Sequence, residues 1–219
     1  MWRALAEREG GPILEIGAGT GRVAIDLSKR GHRVTALDND PRLVAELTDR
    51  ANGLDLTAVE ADARTFELDE IFALCLVPMQ TIQLLDGPTG RAALLERTRR
   101  HLKPRGLLAI AIAERLEAYD VADGGPHPLP DACERDGIVY ASRPIAIRAA
   151  DGHFVIERRR ETVDREGRRR VEDHAISLDL LTASGLEREA RAAGLSPSDR
   201  ATIAPTRDYA GSEVVILRA

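Results

Sequence analysis

The chain has 219 residues, 43% hydrophobic and 31% charged, a make-up that fits one large folded domain and excludes a disordered chain. Its formal net charge of −5 weighs against a general nucleic-acid binder, and no apolar run approaches the roughly 18 residues that a bilayer span needs. Aromatics make up only 3%, so the core has to rest on Leu, Ile, Val and Ala.

Residues 2–8 read as a short helix closed by Gly10 and Gly11. Residues 12–16, Pro-Ile-Leu-Glu-Ile, form a β-rich run that stops at glycines, as a buried strand opening into a tight loop does. Residues 22–30 carry Val23, Ile25 and Leu27 and precede Gly31, a helix with a glycine cap. A second strand spans 33–37 and ends at Asp38. Asp40 caps the next helix and Pro41 occupies its first turn, where no N–H is needed. Residues 56–60 give a third strand ending near Asp62. Residues 72–77, Phe-Ala-Leu-Cys-Leu-Val, give a fourth, apolar enough to be covered on both faces. A helix over 89–102 stops at Pro104 and Gly106, and 107–113 is a fifth strand.

Strict strand–helix alternation to this point predicts a parallel sheet with right-handed crossovers. The pattern then changes. Residues 114–137 read as a polar loop, followed by β-rich runs at 138–148, 153–163 and 168–178 with turns at Asp151-Gly152 and Glu166-Gly167. These predict a three-stranded antiparallel insert after the fifth strand. A helix over 179–193 and strands at 198–203 and 213–218 complete the chain. The expectation is a single domain over 1–219, with 114–178 as a loop plus β insert within it.

The chemistry concentrates in Glu15-Ile16-Gly17-Ala18-Gly19-Thr20-Gly21, between the first strand and first helix. Alternate glycines let the backbone turn sharply and approach a ligand, and the helix behind presents free N–H groups and positive partial charge. The spacing is not the GxGxxG of a dinucleotide site. Asp38 can accept hydrogen bonds from both hydroxyls of a ribose, and it would repel a 2′-phosphate. Asp62, with Ala63, sits where a carboxylate can accept from an adenine amine. Glu15 can orient a ligand amino group, or be satisfied by backbone amides.

The run ILEIGAGTGRVAIDLSKRGHRVTALDND resembles the first two motifs of the class I S-adenosylmethionine (SAM)-dependent methyltransferases. VEADAR resembles their third-strand motif, FALCLV with Pro78-Met79-Gln80 their fourth, and SEVVILRA their seventh strand. The resemblance covers residues 12–113 well and the last forty or so in outline. It implies a doubly wound, Rossmann-like seven-stranded sheet, mostly parallel with the last strand antiparallel, binding SAM at the strand C-terminal ends. It further implies that Glu15, Gly17, Ala18, Gly19 and Gly21 line the methionine moiety. Asp38 and Asn39 would hold the ribose, Asp62 and Ala63 would flank the adenine, and Val77 would border the reacting methyl. Val77-Pro78-Met79-Gln80 departs from the Asp/Asn-and-proline motif that holds a nucleophilic amine, which argues against adenine or glutamine N-methylation. About eleven residues precede the first strand, fewer than the N-terminal helices that lid the cofactor in many small-molecule methyltransferases, so the expectation is a lid from elsewhere, a misplaced gene start, or weak cofactor binding.

The family's acceptors vary, and the first hundred residues say little about this one. Gln80, Glu114 and His127 are the candidates to act on the acceptor, with Gln83, Tyr140 and His174 behind them; no general base is assigned. A small-molecule acceptor is the leading expectation, with the insert and the loop at 114–137 shaping its pocket. The alternatives are an RNA or protein methyltransferase using the Arg-rich hairpin, and a SAM-binding protein without transferase activity. The arginine runs 158–160 and 168–170 are interleaved with carboxylates, which favours a solvated face or a homodimer contact over an RNA surface. No metal site is expected. Cys75 and Cys133 form no CxxC pair and read as reduced thiols, and with no signal segment at the start a cytoplasmic protein is expected.

Overall fold

The structure, a computed structural model, describes residues 1–124, 129–206 and 211–219. The chain divides into two compact units, Met1–Glu114 with Leu181–Ala219, and Arg115–Leu180.

The first unit holds α1 (Trp2–Glu9), β1 (Ile13–Ile16), α2 (Ala24–Ser28), β2 (Val34–Asp38), α3 (Pro41–Arg50), β3 (Leu56–Glu60), β4 (Phe72–Val77), α4 (Pro88–His101) and β5 (Leu102–Ile112). The second holds β6 (Tyr119–Asp120), β7 (Asp131–Arg135), β8 (Ile138–Ala150), β9 (His153–Val163) and β10 (Arg169–Asp179). The chain then returns to the first unit with α5 (Ala183–Ala192), β11 (Ser196–Ile203) and β12 (Ser212–Arg218).

The first unit is built on a seven-stranded sheet of order β11-β12-β5-β4-β1-β2-β3. β1 to β5 pair in parallel, while β12 runs antiparallel to both β5 and β11. This is the doubly wound sheet with a reversed final strand that the sequence pattern and resemblance implied. Strand order reverses between β1 and β4, and open α/β sheets bind ligands at the strand ends beside that switch.

Period-two alternation divides the core between the faces. Leu14, Ile16, Leu37 and Leu95 belong to one buried cluster; Ile13, Val34, Ala36, Leu27 and Leu47 belong to another. The same alternation sends Glu15 to the Ile13 face, among α2 and α3.

The helix caps follow the sequence. Asp40 accepts the Arg42 N–H and Pro41 stands in the first turn of α3. α5 starts later than the expected residue 179, because Asp179 still pairs with His153 in the β9–β10 ladder and Thr182 supplies the cap. The helix expected over 22–30 is shortened to the five residues of α2, since residues 21–23 are spent on the turn out of the glycine loop.

The second unit is an antiparallel sheet of order β10-β9-β8-β6, with β7 also pairing with β8. The three long strands expected from the sequence are β8, β9 and β10, and Gly152 and Gly167 take the left-handed φ values of 77° and 78° in the turns between them. The segment expected as polar loop contributes two short strands more, because the free edge of β8 offers main-chain partners to residues 119–120 and 131–135.

Candidate functional site

β1 leaves the sheet at Ile16, and the turn beyond it is held by main-chain bonds. The N–H groups of Gly17 and Ala18 both donate to the Leu37 carbonyl, at 2.8 and 3.0 Å, which fastens the loop to the end of β2. The three glycines take φ values of 74°, 56° and 85°, but for different reasons. A Cβ on Gly17 would lie 2.4 Å from Thr81 Oγ1, and one on Gly21 would lie 2.3 Å from Leu47 Cδ1. Those two are glycine because protein packs against them. A Cβ on Gly19 would meet nothing within 4 Å, so at this residue bare main chain borders open space.

Asp38 closes β2 and turns into this loop. Its side chain is 8% exposed. Oδ2 accepts the Gly19 N–H at 2.7 Å and Oδ1 accepts the Asp40 N–H at 3.0 Å. A carboxylate has about four lone-pair sites, so each oxygen keeps one for a further donor. Asn39 beside it is exposed.

Glu15 is 2% exposed, and one of its carboxyl oxygens, Oε2, is buried without a hydrogen-bond partner among the described residues. The carboxyl does accept the Ala24 N–H at the start of α2, which offsets only part of the cost of burial. Burial pushes the group up to about 8, and the nearby Asp38 charge adds to the rise. The helix N–H expected to face a ligand is therefore taken by Glu15, and it is the Glu15 carboxyl that has capacity left. A buried acid with an orphaned oxygen is suited to receive a cationic donor, since an opposite charge relieves its desolvation.

The third expected carboxylate is arranged differently. Asp62 is gripped by Arg64, whose main-chain N–H and Nη2 donate at 2.8 and 2.6 Å, and this guanidinium holds the Asp62 carboxyl below its ordinary range. Arg64 also reaches Asp86 at 3.2 Å. Ala63 is buried among Phe66 and the core, and Val77 is wholly buried at the end of β4 beside Ile110. The Val77 side chain belongs to the core, which leaves its main chain for any ligand contact.

Beyond β4 the chain takes two successive left-handed residues, Met79 (φ 56°) and Gln80 (φ 61°), a conformation uncommon outside glycine. Gln80 Nε2 donates to Ser212 Oγ at 2.7 Å at the start of β12. Gln83 is 1% exposed and forms a reciprocal amide pair with Ala113: its Nε2 donates to the carbonyl at 3.1 Å and its Oε1 accepts the N–H at 2.7 Å. Gln83 thus completes the end of β5. Glu114 accepts the Ala183 N–H in the first turn of α5. His127 lies outside the described residues. Tyr140 and His174 stand exposed on the second unit.

The structure thus brings Glu15, the glycine loop and Asp38 into one cluster. It also adds residues that the sequence did not offer: Thr81, which braces Gly17 and donates to the Pro78 carbonyl at 2.8 Å, and Ser212, 132 positions from its partner Gln80. A threonine or serine alone carries no such signal. The arginine runs of the second unit mostly face carboxylates: Arg159 pairs with Asp173, Arg168 with Asp164, Arg169 with Glu161 and Arg170 with Glu172.

Residues 13–106 match a family model described as "Methyltransferase domain". Over 135 residues the chain is 33% identical to a cypemycin N-terminal methyltransferase from Streptomyces sp, covering 62% of this chain and 55% of that protein. Over 133 residues it is 35% identical to a malonyl-[acyl-carrier protein] O-methyltransferase from Xylella fastidiosa (strain M23), covering 54% and 42%. The chain thus spans about half the length of the curated relatives it matches. Among solved structures, SAM-bound CalS10, an amino pentose methyltransferase from Micromonospora echinaspora, superposes with a TM-score of 0.70 at 19% identity, over 100% of this chain and 91% of that one. The sugar N-methyltransferase KedS8 from Streptoalloteichus sp ATCC 53650 gives 0.74 at 19% identity, over 99% and 84%.

Proposed function

We propose that the protein is a class I SAM-dependent methyltransferase that binds SAM at the glycine loop and transfers its methyl group to a small-molecule acceptor, a reading supported by the match of residues 13–106 to a methyltransferase domain and by the fold shared with SAM-bound neighbours. The observation that carries this reading is the pairing of two carboxyls with open main chain. Asp38 is locked to Gly19 yet keeps accepting capacity, and Glu15 holds a buried oxygen that no group among the described residues satisfies.

SAM has two donors that match these groups, the ribose hydroxyls and the methionine ammonium. In this reading Glu15, Gly17, Ala18, Gly19 and Gly21 border the methionine part, and Asp38 with Asn39 holds the ribose. Asp62 and Ala63 flank the adenine, with Asp62 shared between the base and Arg64, and the Val77 main chain borders the reacting centre. Bound SAM supplies a methyl on a sulfonium, activated and with a neutral leaving group. The chain's own contribution is to fix the cofactor and align the acceptor, an orienting effect that can supply about 7–11 kcal/mol. No enzyme nucleophile is required, and no base is assigned among Gln80, Glu114 and His127; a base is needed only when the acceptor carries a proton as it attacks.

A small-molecule acceptor is supported by neighbours named for amino-sugar and glycopeptide methylation, and by the pairing of the hairpin arginines with carboxylates, which leaves little free positive charge for an RNA. Among the described residues no helix is long and apolar enough to cross a membrane. A cytoplasmic setting, with buried Cys75 and exposed Cys133 as reduced thiols, belongs to the same proposal.

Calorimetric titration with SAM and S-adenosylhomocysteine tests the cofactor, and transfer of radiolabelled methyl from SAM tests the acceptor. One bound cofactor per chain is expected, with label entering the metabolite fraction of a cell extract. No cofactor binding would sink the whole reading. Label confined to tRNA, rRNA or protein would sink the small-molecule part, and binding without transfer to any fraction would leave a SAM-binding protein.

A further inference from the structure

Strand β10 is an edge of the antiparallel unit, and among the described residues no strand pairs with its outer side. Such edges carry rows of unpaired N–H and C=O groups, and folded proteins usually blunt them by shortness, proline, a bulge or charged side chains. The edges of the seven-stranded sheet obey this. β3 is five residues long, and β11 carries Pro197 with a register shift between Pro197 and Asp199. β10 relies on charge alone: it runs eleven residues in unbroken register against β9, without proline or bulge, its first nine residues are exposed, and their charge comes from Arg169, Arg170, Glu172 and Asp173, two of each sign.

Hydrogen-bond parity decides which of its groups face outward. At the turn the Asp164 N–H donates to the Arg168 carbonyl at 3.1 Å, so that opposed pair is a hydrogen-bonded one. The register places Arg169 opposite Val163, Val171 opposite Glu161 and Asp173 opposite Arg159. By antiparallel alternation those three are non-hydrogen-bonded towards β9, and their main-chain groups point to the free edge.

We propose that two copies of this chain join along β10, antiparallel, with Val171 on the twofold axis. This register sets Arg169 against Asp173 of the second copy and Arg170 against Glu172 of the second copy, and symmetry repeats each pair. Residues 169–173 read Arg-Arg-Val-Glu-Asp, a charge pattern that becomes its own complement on reversal about Val171. Arg170 and Glu172 then fall in the non-hydrogen-bonded pairs of the new ladder, whose Cα atoms approach to about 4.5 Å and whose side chains are closest.

The neighbouring registers are penalised. Moving the centre by one residue sets Arg170 against itself or Glu172 against itself; moving it by two sets Arg169 or Asp173 against itself. Like-charge opposition of this kind is how an interface excludes wrong alignments. In the single chain the same groups are occupied locally, Arg170 by Glu172, Arg169 by Glu161 and Asp173 by Arg159. Exposed pairs of that sort contribute little. Association therefore exchanges them at small net effect, while completing the open ladder and covering Val171, which is 44% exposed.

Sedimentation velocity on the full chain at tens of micromolar tests this without reference to cofactor or activity. The expected mass is twice the 23.9 kDa of the chain. Arg170→Glu and Glu172→Arg should each weaken the dimer at least tenfold, because each creates like-charge pairs, and the double reversal should restore it. In a Cys133→Ser background, Val171→Cys should cross-link to itself under mild oxidation, since an opposed Cα separation of about 5.5 Å suits a disulfide; Ile176→Cys should not. A monomer at 100 micromolar would overturn the proposal. So would a dimer indifferent to the single reversals, or a double reversal that fails to restore association.

Discussion

Replacing Glu15 by glutamine isolates what its buried carboxyl does. Burial raises the group from 4.5 to about 8, so between those values the folded chain keeps a proton that the unfolded chain has lost. Its contribution to stability is complete below pH 4.5 and disappears as pH climbs through 8. The slope is at most about 1.4 kcal/mol per pH unit, giving on the order of 4–5 kcal/mol across the window. Glu15→Gln keeps an oxygen for the Ala24 N–H and cannot ionise. Urea unfolding at pH 5 should therefore find the two proteins close, while at pH 8 the variant should be the more stable by several kcal/mol. Cofactor binding should show the same linkage reversed. An ammonium placed at Oε2 draws the carboxyl into its charged form, so binding at pH 7 should release up to about 0.9 proton per chain. Calorimetry in two buffers of different ionisation enthalpy measures that number, and the variant should release none and bind SAM more weakly. A stability difference that stays constant from pH 5 to 8 would refute the burial argument. Equal heats in the two buffers would refute the placement of the ammonium.

Asp38→Ala should lower SAM affinity by more than tenfold and reduce stability by about 1–3 kcal/mol, because the Gly19 and Asp40 N–H groups lose their acceptor; unchanged affinity by calorimetry would count against the ribose assignment. The glycines should separate by phenotype. Gly17→Ala should destabilise the chain through its collision with Thr81, whereas Gly19→Val, whose Cβ meets no neighbour but which strains the backbone at φ 56°, should cost less stability than it costs binding, leaving a folded protein that binds no SAM. Thermal melts alongside titrations check both. Glu189→Gln should cost about 1–3 kcal/mol in urea unfolding, since Arg91 is 5% exposed and its guanidinium donates to both Glu189 oxygens, at 2.8 and 2.7 Å.

What could be read from the sequence divides according to the distance over which each signal acts. The sheet was legible because period, caps and turn residues are local. Ile13 to Ile16 and Phe72 to Val77 announce buried strands by apolarity, and Asp40-Pro41 announces the start of α3 by its chemistry. The glycine loop was legible as a motif, but not the division of labour within it. Gly17 and Gly21 are constrained by Thr81 and Leu47, residues 64 and 26 positions away, while only Gly19 borders open space. The candidates after β4 and β5 diverged for the same reason. Gln83 resembles Gln80 in composition and neighbourhood, yet it is spent on the main chain of Ala113, a contact that exists only once β5 lies beside β4.

The two carboxyls of the site also show why a charge pattern alone underdetermines function. Asp38 and Glu15 stand on strands paired so that Glu15 opposes Ala36 and Ile16 opposes Leu37, and alternation turns both acids towards the face of α2 and α3. Asp38 emerges at the strand end, where the Gly19 and Asp40 N–H groups each donate to one of its oxygens. Glu15, one step inside the sheet edge, accepts the Ala24 N–H and is left with an oxygen that nothing among the described residues completes. One acid is therefore ready for neutral donors such as hydroxyls, and the other for a cation. A ligand with a vicinal diol at one end and an ammonium at the other satisfies both. A dinucleotide offers the first and has no ammonium for the second, which supports the proposed cofactor on grounds independent of the glycine spacing.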